Sequence, residues 1–495
     1  MNPIDAFACV VSPAWALNRA RARKLLGAYE AAKKSRTRHG ITDNRSADAV
    51  VAEGAGNLRG QARFLEQNHD LAKGILNALV NYTVGSKGIS IEPQPCNLTG
   101  EINKEFAEEL SWYFREWSRY PEVSHELTWA KMQRLMARAW FRDGEVLAKS
   151  VMGNIPTLNH RTKVPYSLEL FEADYLADIT IKEEGIIQGV QRNAWGQARY
   201  YHLYETNPND SIYIAGLKTR AVNAGIIDHV KMCDRLRQTR GVSIFAAVMN
   251  RLNDLKDYEE SERIAAKIAA SMAAYIRKGG SDSYVPTSGD DEDNRIFEFS
   301  PGMIWDNLNP GEDVGTIQTN RPSILLEPFR NAMLKAIASG TSAGYSSISK
   351  SYDGTYSAQR QELVEQWIHY AALSDDFISM FIEPVWKRFV SMAITSGVVR
   401  VPQGVDMDTV QDADYLTPSM PWIDPKKEAE GFEKLLSLRI TSNQKIIRQR
   451  GDNPTDVLDQ HEKWQQELAA RNLKMTEQPA NAGFFTPDGD NEDAE

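Results

Sequence analysis

Residues 243–278 read SIFAAVMNRLNDLKDYEESERIAAKIAASMAAYIRK, and this stretch decides the reading of the fold. No Gly or Pro interrupts it, and Val248, Leu252, Leu255, Ile264, Ile268, Met272 and Tyr275 recur at helical spacing until Gly279-Gly280 ends the pattern. A helix of that length extends on the order of 50 Å at 1.5 Å per residue, more than a globular domain needs. Uninterrupted patterns beyond about 25 residues point to packing within an assembly. The middle is charged (Asp254, Lys256, Asp257, Glu259, Glu260, Glu262, Arg263), whereas the Ala-rich end would let neighbouring copies approach closely. Ile264, Ile268, Met272 and Tyr275 are the residues expected to pack there. The alternative is two shorter helices broken near Asp257.

Downstream, residues 279–322 are irregular, with an acidic run Asp290-Asp291-Glu292-Asp293, a short apolar segment Ile296-Phe297-Glu298-Phe299, and turns at Pro301-Gly302 and Pro310-Gly311. They read as a small β-rich insertion. Helical character returns over residues 323–338, with Pro328 as a candidate kink, then gives way to a Gly/Ser/Tyr-rich loop over 341–356. A long helix follows over 357–396 with Leu363, Trp367, Tyr370, Phe377, Phe381, Trp386, Phe389 and Met392 as its apolar series. Pro384 should kink it, because proline removes a donor and crowds the preceding turn. Residues 424–472 read as three short helices. Asp424-Pro425 starts the first, a capping box over 441–444 the second, and Pro454 the third, with Gly451 between the last two.

Upstream, residues 57–83 predict one helix stopped at Gly85, and residues 101–118 a second with an aromatic stripe of Phe106, Trp112, Phe114 and Trp117. Residues 146–152, 166–176 and 186–205 favour strands, the last with a hairpin turn at Trp195-Gly196 and Tyr200, His202 and Tyr204 alternating beyond it. The fold class is therefore α+β, mainly helical, with neither a solenoid repeat nor a doubly wound sheet. Residues 19–45 carry nine cations against Glu30 and Asp43 and form a basic arm; from Thr476 onward six carboxylates and no cation read as a disordered acidic tail.

The chain has 495 residues, 42% apolar and 25% charged, with a net charge of −10. That balance argues against a broad basic DNA clamp, since phosphate neutralisation supplies most non-specific affinity; it suits a surface along which a duplex slides, and it is equally the ordinary balance of cytosolic proteins. Residues 264–276 are too short and too charged to span a membrane, and the N-terminus lacks a signal-peptide pattern, so a cytosolic working compartment is expected. Cys9, Cys96 and Cys233 suit neither a disulfide framework nor a zinc cluster. No cofactor, metal or catalytic site is expected. Gly85-Ser86-Lys87-Gly88 lacks the spacing and hydroxyl of a phosphate loop, His125-Glu126 lacks a second His at zinc-protease spacing, and there is no Gly-x-Ser-x-Gly elbow. Two other readings stay open at this point: a metal-dependent packaging nuclease using scattered carboxylates, and a helical scaffold or adaptor that never touches DNA.

The order of elements resembles the lambda-type portal family of tailed bacteriophages over residues 25–473. The strings that carry it are Tyr29-Glu30-Ala31-Ala32, Leu58-Arg59-Gly60-Gln61-Ala62-Arg63, residues 81–88 with Val84-Gly85, residues 254–270 (DLKDYEESERIAAKIAA), Asn309-Pro310-Gly311-Glu312, and Trp422-Ile423-Asp424-Pro425-Lys426-Lys427-Glu428. The loop is similar to the family's Gly-x-x-Tyr, Asp, Asn-Tyr-Ser-Ser, Arg pattern, with Gly344-Tyr345, Asp353, Tyr356-Ser357 and Arg360 in order. Here Gly344 and Tyr345 are adjacent, and Thr355 and Ala358 replace the usual Asn and second Ser.

The resemblance implies a non-enzymatic subunit of a ring, usually dodecameric, at the capsid vertex of the virion, assembled in the host cytoplasm. Its partners would be further copies of itself, the large terminase subunit, the major capsid protein and scaffold, a head-completion adaptor, and duplex DNA held without sequence preference; no membrane is implied. Residues 1–45 would be the arm, 46–242 the wing, 243–278 and 323–340 the two stem helices, and 279–322 the clip. Residues 341–356 would be the channel loop, 357–423 a long kinked helix with the rest of the wing, 424–475 the crown, and 476–495 the tail. Tyr345, Ser346, Ser347, Lys350, Tyr352 and Arg360 would face the channel, and Asp290, Asp291, Glu292, Asp293, Glu312 and Asp313 the terminase.

Overall fold

The computed structural model describes residues 14, 43–210, 218–270, 274–278, 312–316, 326–420 and 424–471. The helix expected over 57–83 is two helices, α1 (Ala47–Asn68) and α2 (Asp70–Thr83), because His69 between them is extended at φ −130° and ψ 116°. Its buried ring reaches the Leu252 carbonyl at 3.1 Å, a tertiary bond that a continuous helix would forfeit. Strand β1 (Ser90–Pro93) leads to α3 (Lys104–Trp117), which Asn103 caps by accepting from the Phe106 amide. Phe106, Phe114 and Trp117 are buried, but Trp112 lies on the opposite side of the helix and is 50% exposed, so it leaves the expected stripe.

Helix α4 (Trp129–Asp143) buries Trp129, Met132, Met136 and Trp140 at three-and-four spacing. Three antiparallel strands follow in the order β3-β2-β8, with β2 (Glu145–Met152) in the centre between β3 (Tyr166–Glu172) and β8 (Ile227–Lys231). The second sheet is a meander of β4 (Ile186–Ile187), β5 (Val190–Arg192), β6 (Ala198–Tyr204) and β7 (Thr219–Asn223), with the expected turn between β5 and β6 at Gly196.

The stretch read as one helix over 243–278 is helix α5 (Met249–Ala270) followed by strand β9 (Ala274–Lys278). At the front, Phe245 is fully buried and its amide bonds the Ser243 hydroxyl in a turn. At the back, Tyr275 and Ile276 favour extended backbone, and pairing with β10 (Glu312–Thr316) overrides the helical spacing. The helix is thus about 33 Å long. Helix α6 (Leu326–Thr341) lies antiparallel beside it: Gly340 abuts Val248, while Phe329 meets Tyr258 at 4.8 Å and Arg330 bonds Glu259 at 2.7 Å.

After the short helix α7 (Tyr345–Ser349) comes the long helix, in three parts: α8 (Tyr356–Phe377), a π-helical turn over Ile378–Ile382, and α9 (Glu383–Thr395). The widened turn ends at the residue before Pro384, where the Glu383 amide bonds Ile378 five residues back; it relieves the crowding that proline imposes on a regular turn. From it, Phe381, Trp386 and Phe389 reach Trp129, Phe114 and Trp117 at centroid distances of 5.4, 5.4 and 5.5 Å. This aromatic cluster is the centre of the core. Strand β11 (Ala413–Leu416) pairs antiparallel with β1, and the chain ends in α10 (Pro425–Ser437), α11 (Asn443–Gln449) and α12 (Pro454–Ala470). Their caps are Asp424, Ser442 and Asn453; the second is one residue later than the expected Thr441.

Candidate functional site

Two places concentrate polar chemistry. The first is buried where α4 meets β2. Glu145 is fully buried and accepts from Arg240 Nε at 2.6 Å, the Gly241 amide at 2.9 Å, His229 Nε2 at 3.0 Å and Arg59 Nη1 at 3.3 Å. Two residues earlier, buried Asp143 takes bidentate bonds from both Arg63 and Arg142. Burial alone would raise the Glu145 carboxyl, but Arg240, His229 and Arg59 hold it down to about 2. Burial pushes the His229 imidazole down, against the pull of Glu145 3.0 Å away. The arrangement needs Gly144 and Gly241 in contact: a Cβ on Gly241 would stand 2.0 Å from the Gly144 carbonyl oxygen. Gly144 itself sits at φ 88°.

This cluster binds α1 and residues 240–241 to the sheet, and sequence reasoning missed Asp143, Glu145, His229 and Arg240 as a group. The available signal was Arg59 and Arg63, four apart within the Leu58 to Arg63 string and therefore on one face of α1. Every charge in it has a partner, which makes it a brace and leaves no group poised to react.

The second place is the segment from Gly344 to Arg360. The Gly344 amide donates to Tyr370 Oη at 3.2 Å, and a Cβ there would come within 2.1 Å of Gln366 Oε1. Ser346 donates twice to Glu362, from its amide at 2.9 Å and its hydroxyl at 2.5 Å. Burial tends to raise Glu362, but these bonds and one from Gln366 prevail and keep it below the usual carboxylate range. Ile348 is buried and Tyr345 half-buried with Lys335 Nζ 5.5 Å from its ring centre.

Lys350 terminates α7 in the left-handed region at φ 57°, its amide bonded to the Ser346 carbonyl and its side chain exposed. Tyr352 is 61% exposed, and its carbonyl accepts from Gln359. Arg360 bonds Glu428 of α10 at 2.8 Å. The expected channel-facing residues thus fall into two sets: Tyr345, Ser346 and Ser347 are half-buried, with Ser346 tied to Glu362 of α8, while Lys350 and Tyr352 stand on an exposed turn with Arg360 held toward the C-terminal helices.

Of the residues expected to pack between copies, Ile264 is 49% exposed on α5, Ile268 lies in α5 and Tyr275 in β9 opposite Gly315, and Met272 is outside the described residues. Asp290, Asp291, Glu292 and Asp293 are also outside them, as are the arm through residue 42 and the tail; Glu312 and Asp313 begin β10. Among the described residues no group of three or more His, Cys, Asp or Glu side chains could hold a metal, and no helix is long and apolar enough to cross a membrane.

The described residues thus combine a helical body braced by buried charge, a pair of antiparallel helices and three C-terminal helices. The family model for phage portal proteins of the lambda family matches residues 33–373, so this chain belongs to that family. It is 22% identical over 438 residues to the probable portal protein of Halomonas phage phiHAP-1, covering 85% of this chain and 82% of that one. It is 20% identical over 263 residues to portal protein B of Escherichia phage lambda, covering 48% of this chain and 49% of that one. Solved structures with some likeness include a chain from the virion of a native gene transfer agent particle (TM-score 0.45, 13% identity, 82% of this chain and 99% of that chain). Another is from the neck of that particle (TM-score 0.41, 13% identity, 84% and 96%).

Proposed function

We propose that copies of this chain close into a ring at one vertex of a phage capsid, through which duplex DNA enters during packaging and leaves on ejection. The supporting observation is the family match across residues 33–373, which takes in α5, α6, the β9–β10 pair and the loop. In this reading α5 and α6 are the stem walls, residues 279–322 form the clip that meets the terminase and later the head-completion protein, and the C-terminal helices are the crown inside the capsid. The wing residues face the capsid protein and scaffold.

A closed ring repeats one heterologous contact and leaves no unpaired edge. It also repeats the exposed turn at Lys350 around the axis, so each copy offers one cation to a phosphate backbone while the net charge of −10 limits adhesion. Lys350 touches phosphates, Tyr352 supplies steric contact beside it, and Ser346 seats the turn through its bonds to Glu362 of α8. The subunit holds and guides DNA and turns over no substrate.

Negative-stain micrographs of the purified protein are expected to show rings with a central hole. A population that stays monomeric or dimeric under all assembly conditions overturns the reading, and magnesium-dependent DNA cleavage by the pure protein would replace it with the nuclease.

A further inference from the structure

Two large rings stand bare at the end of α3: Trp112 is 50% exposed and Tyr120, just beyond the helix, 39%. Cations gather on them. Lys163 Nζ lies 4.7 Å from the centre of the Trp112 ring and 5.7 Å from that of Tyr113, and the Arg161 guanidinium lies 5.6 Å from the centre of Tyr120. Arg115 and Arg119 are exposed as well and line the same cleft as Trp112. Among the described residues none of these four cations has a carboxylate within ion-pair distance; aromatic faces hold two of them, and Arg115 and Arg119 have no partner.

The cleft, of about 990 Å³, opens between α3 and the start of α12. Its α3 wall is basic, with Lys104, Arg115 and Arg119 against Glu108, whereas Asp452, Asp456 and Asp459 stand on the opposite wall. Arg448, also on the lining, is already bound to Glu92 and Asp414. Trp129 lines the cleft too; it is 6% exposed, and its indole N–H has no acceptor among the described residues. The α3 wall therefore fits an extended segment that brings carboxylates for the cations, carbonyl oxygens, and apolar side chains for the bare rings.

The chain carries such a segment. Phe484-Phe485 is followed by Asp488, Asp490, Glu492, Asp493 and Glu495, with no cation after Lys474. It also starts from the right place, because α12, whose first turns form the far wall, ends the described residues at Arg471. Its 17 residues (Pro454–Ala470) carry the chain about 25 Å away from the cleft, and residues 472–483 span up to about 40 Å when extended, enough to return. We infer that residues 484–495 dock on the α3 wall of their own copy, Phe484 and Phe485 against the exposed rings and the carboxylates on Arg115, Arg119 and Lys163. A duplex would bring phosphates but no apolar side chain to cover Trp112 and Tyr120. The inference is independent of the ring reading, since it concerns one copy and a surface that reading leaves unused.

Zero-length carbodiimide coupling on the full chain tests it, with the joined peptides read by mass spectrometry. Lys163 and Lys104 are expected to couple to carboxylates of residues 488–495, and in a mixture of 14N and 15N chains both halves of each product should carry the same isotope. Products of mixed isotope would hand the tail to another copy and overturn the inference, as would coupling spread evenly over exposed lysines elsewhere, such as Lys131. A labelled peptide of residues 480–495 gives a second arm by fluorescence anisotropy. Full chain with Asp488→Asn, Asp490→Asn, Glu492→Gln, Asp493→Asn and Glu495→Gln should bind it, and wild type at least about tenfold more weakly, because a tethered tail competes at high effective concentration. Arg119→Glu or Lys163→Glu, both on exposed side chains, should each weaken the peptide roughly fivefold in the neutralised chain. Equal binding to wild type and the neutralised chain overturns the inference, as does a labelled DNA duplex that binds the patch more tightly than the peptide. Neither arm requires rings, so failure here leaves the ring reading standing.

Discussion

Glu145 is a charge that water never reaches, and three cationic or polar side chains and one amide hold it in place. Removing one partner of such a group costs more than the group contributes, because the rest are stranded in a dry site. Glu145→Gln is therefore expected to destabilise the subunit by about 3–5 kcal/mol in urea unfolding, through the unpaired Arg240. The pH dependence has a definite sign. The folded carboxyl, at about 2, lies below its ordinary value of 4.5, so its share of stability is complete above pH 4.5 and is lost as pH falls toward 2. Wild type should lose stability across that window more steeply than the Gln variant. Lys350 carries a separate expectation at this scale. Lys350→Glu should leave rings intact and lower the DNA packaged or retained per capsid; unchanged packaging would remove the exposed turn from DNA contact.

At the scale of elements, the long helix shows what a sequence does and does not disclose. Its apolar series and Pro384 were legible, and Trp386 and Phe389 are buried as that series requires. The π turn before the proline was not, because local spacing registers a breaker and cannot say whether the chain bends, stops or takes in one extra residue. The same limit governs α5. Helical spacing ran on to Tyr275, but strand pairing with residues 312–316 depends on a segment far along the chain. The cap Asp424 and the opening Pro454 were readable because their signals span only a few residues, whereas the Glu145 brace joins positions 59, 145, 229 and 240 and has no local signature. Two element-level outcomes follow from the geometry. Trp386→Ala removes a fully buried side chain from the aromatic cluster and the bond to the Gln411 carbonyl, and should cost about 3–5 kcal/mol by denaturant titration. Gly241→Ala places a methyl against backbone that cannot yield, and should lower the melting temperature by more than a typical core truncation, with soluble yield falling in step.

At the scale of the whole molecule, the family was legible from the order of the strings, each of which alone is weak, and the family model matches residues 33–373. What was not legible is the exposure of Leu438, Ile440, Leu458 and Trp464 in the C-terminal helices, because amphipathic spacing looks the same whether a face is covered or bare. Added salt should change the stability of the single subunit little in denaturant titration, because that stability is set by buried aromatic and ionic contacts. One further property follows from the strand pair. Lys278 stands opposite Glu312 in register, so the intervening segment departs from and returns to a single point, its two ends held about 5 Å apart. Exchange of that segment for one of different length leaves the paired helices in register. On the proposed reading, docking specificity can then diverge as a removable cassette while the wall of the passage is inherited intact.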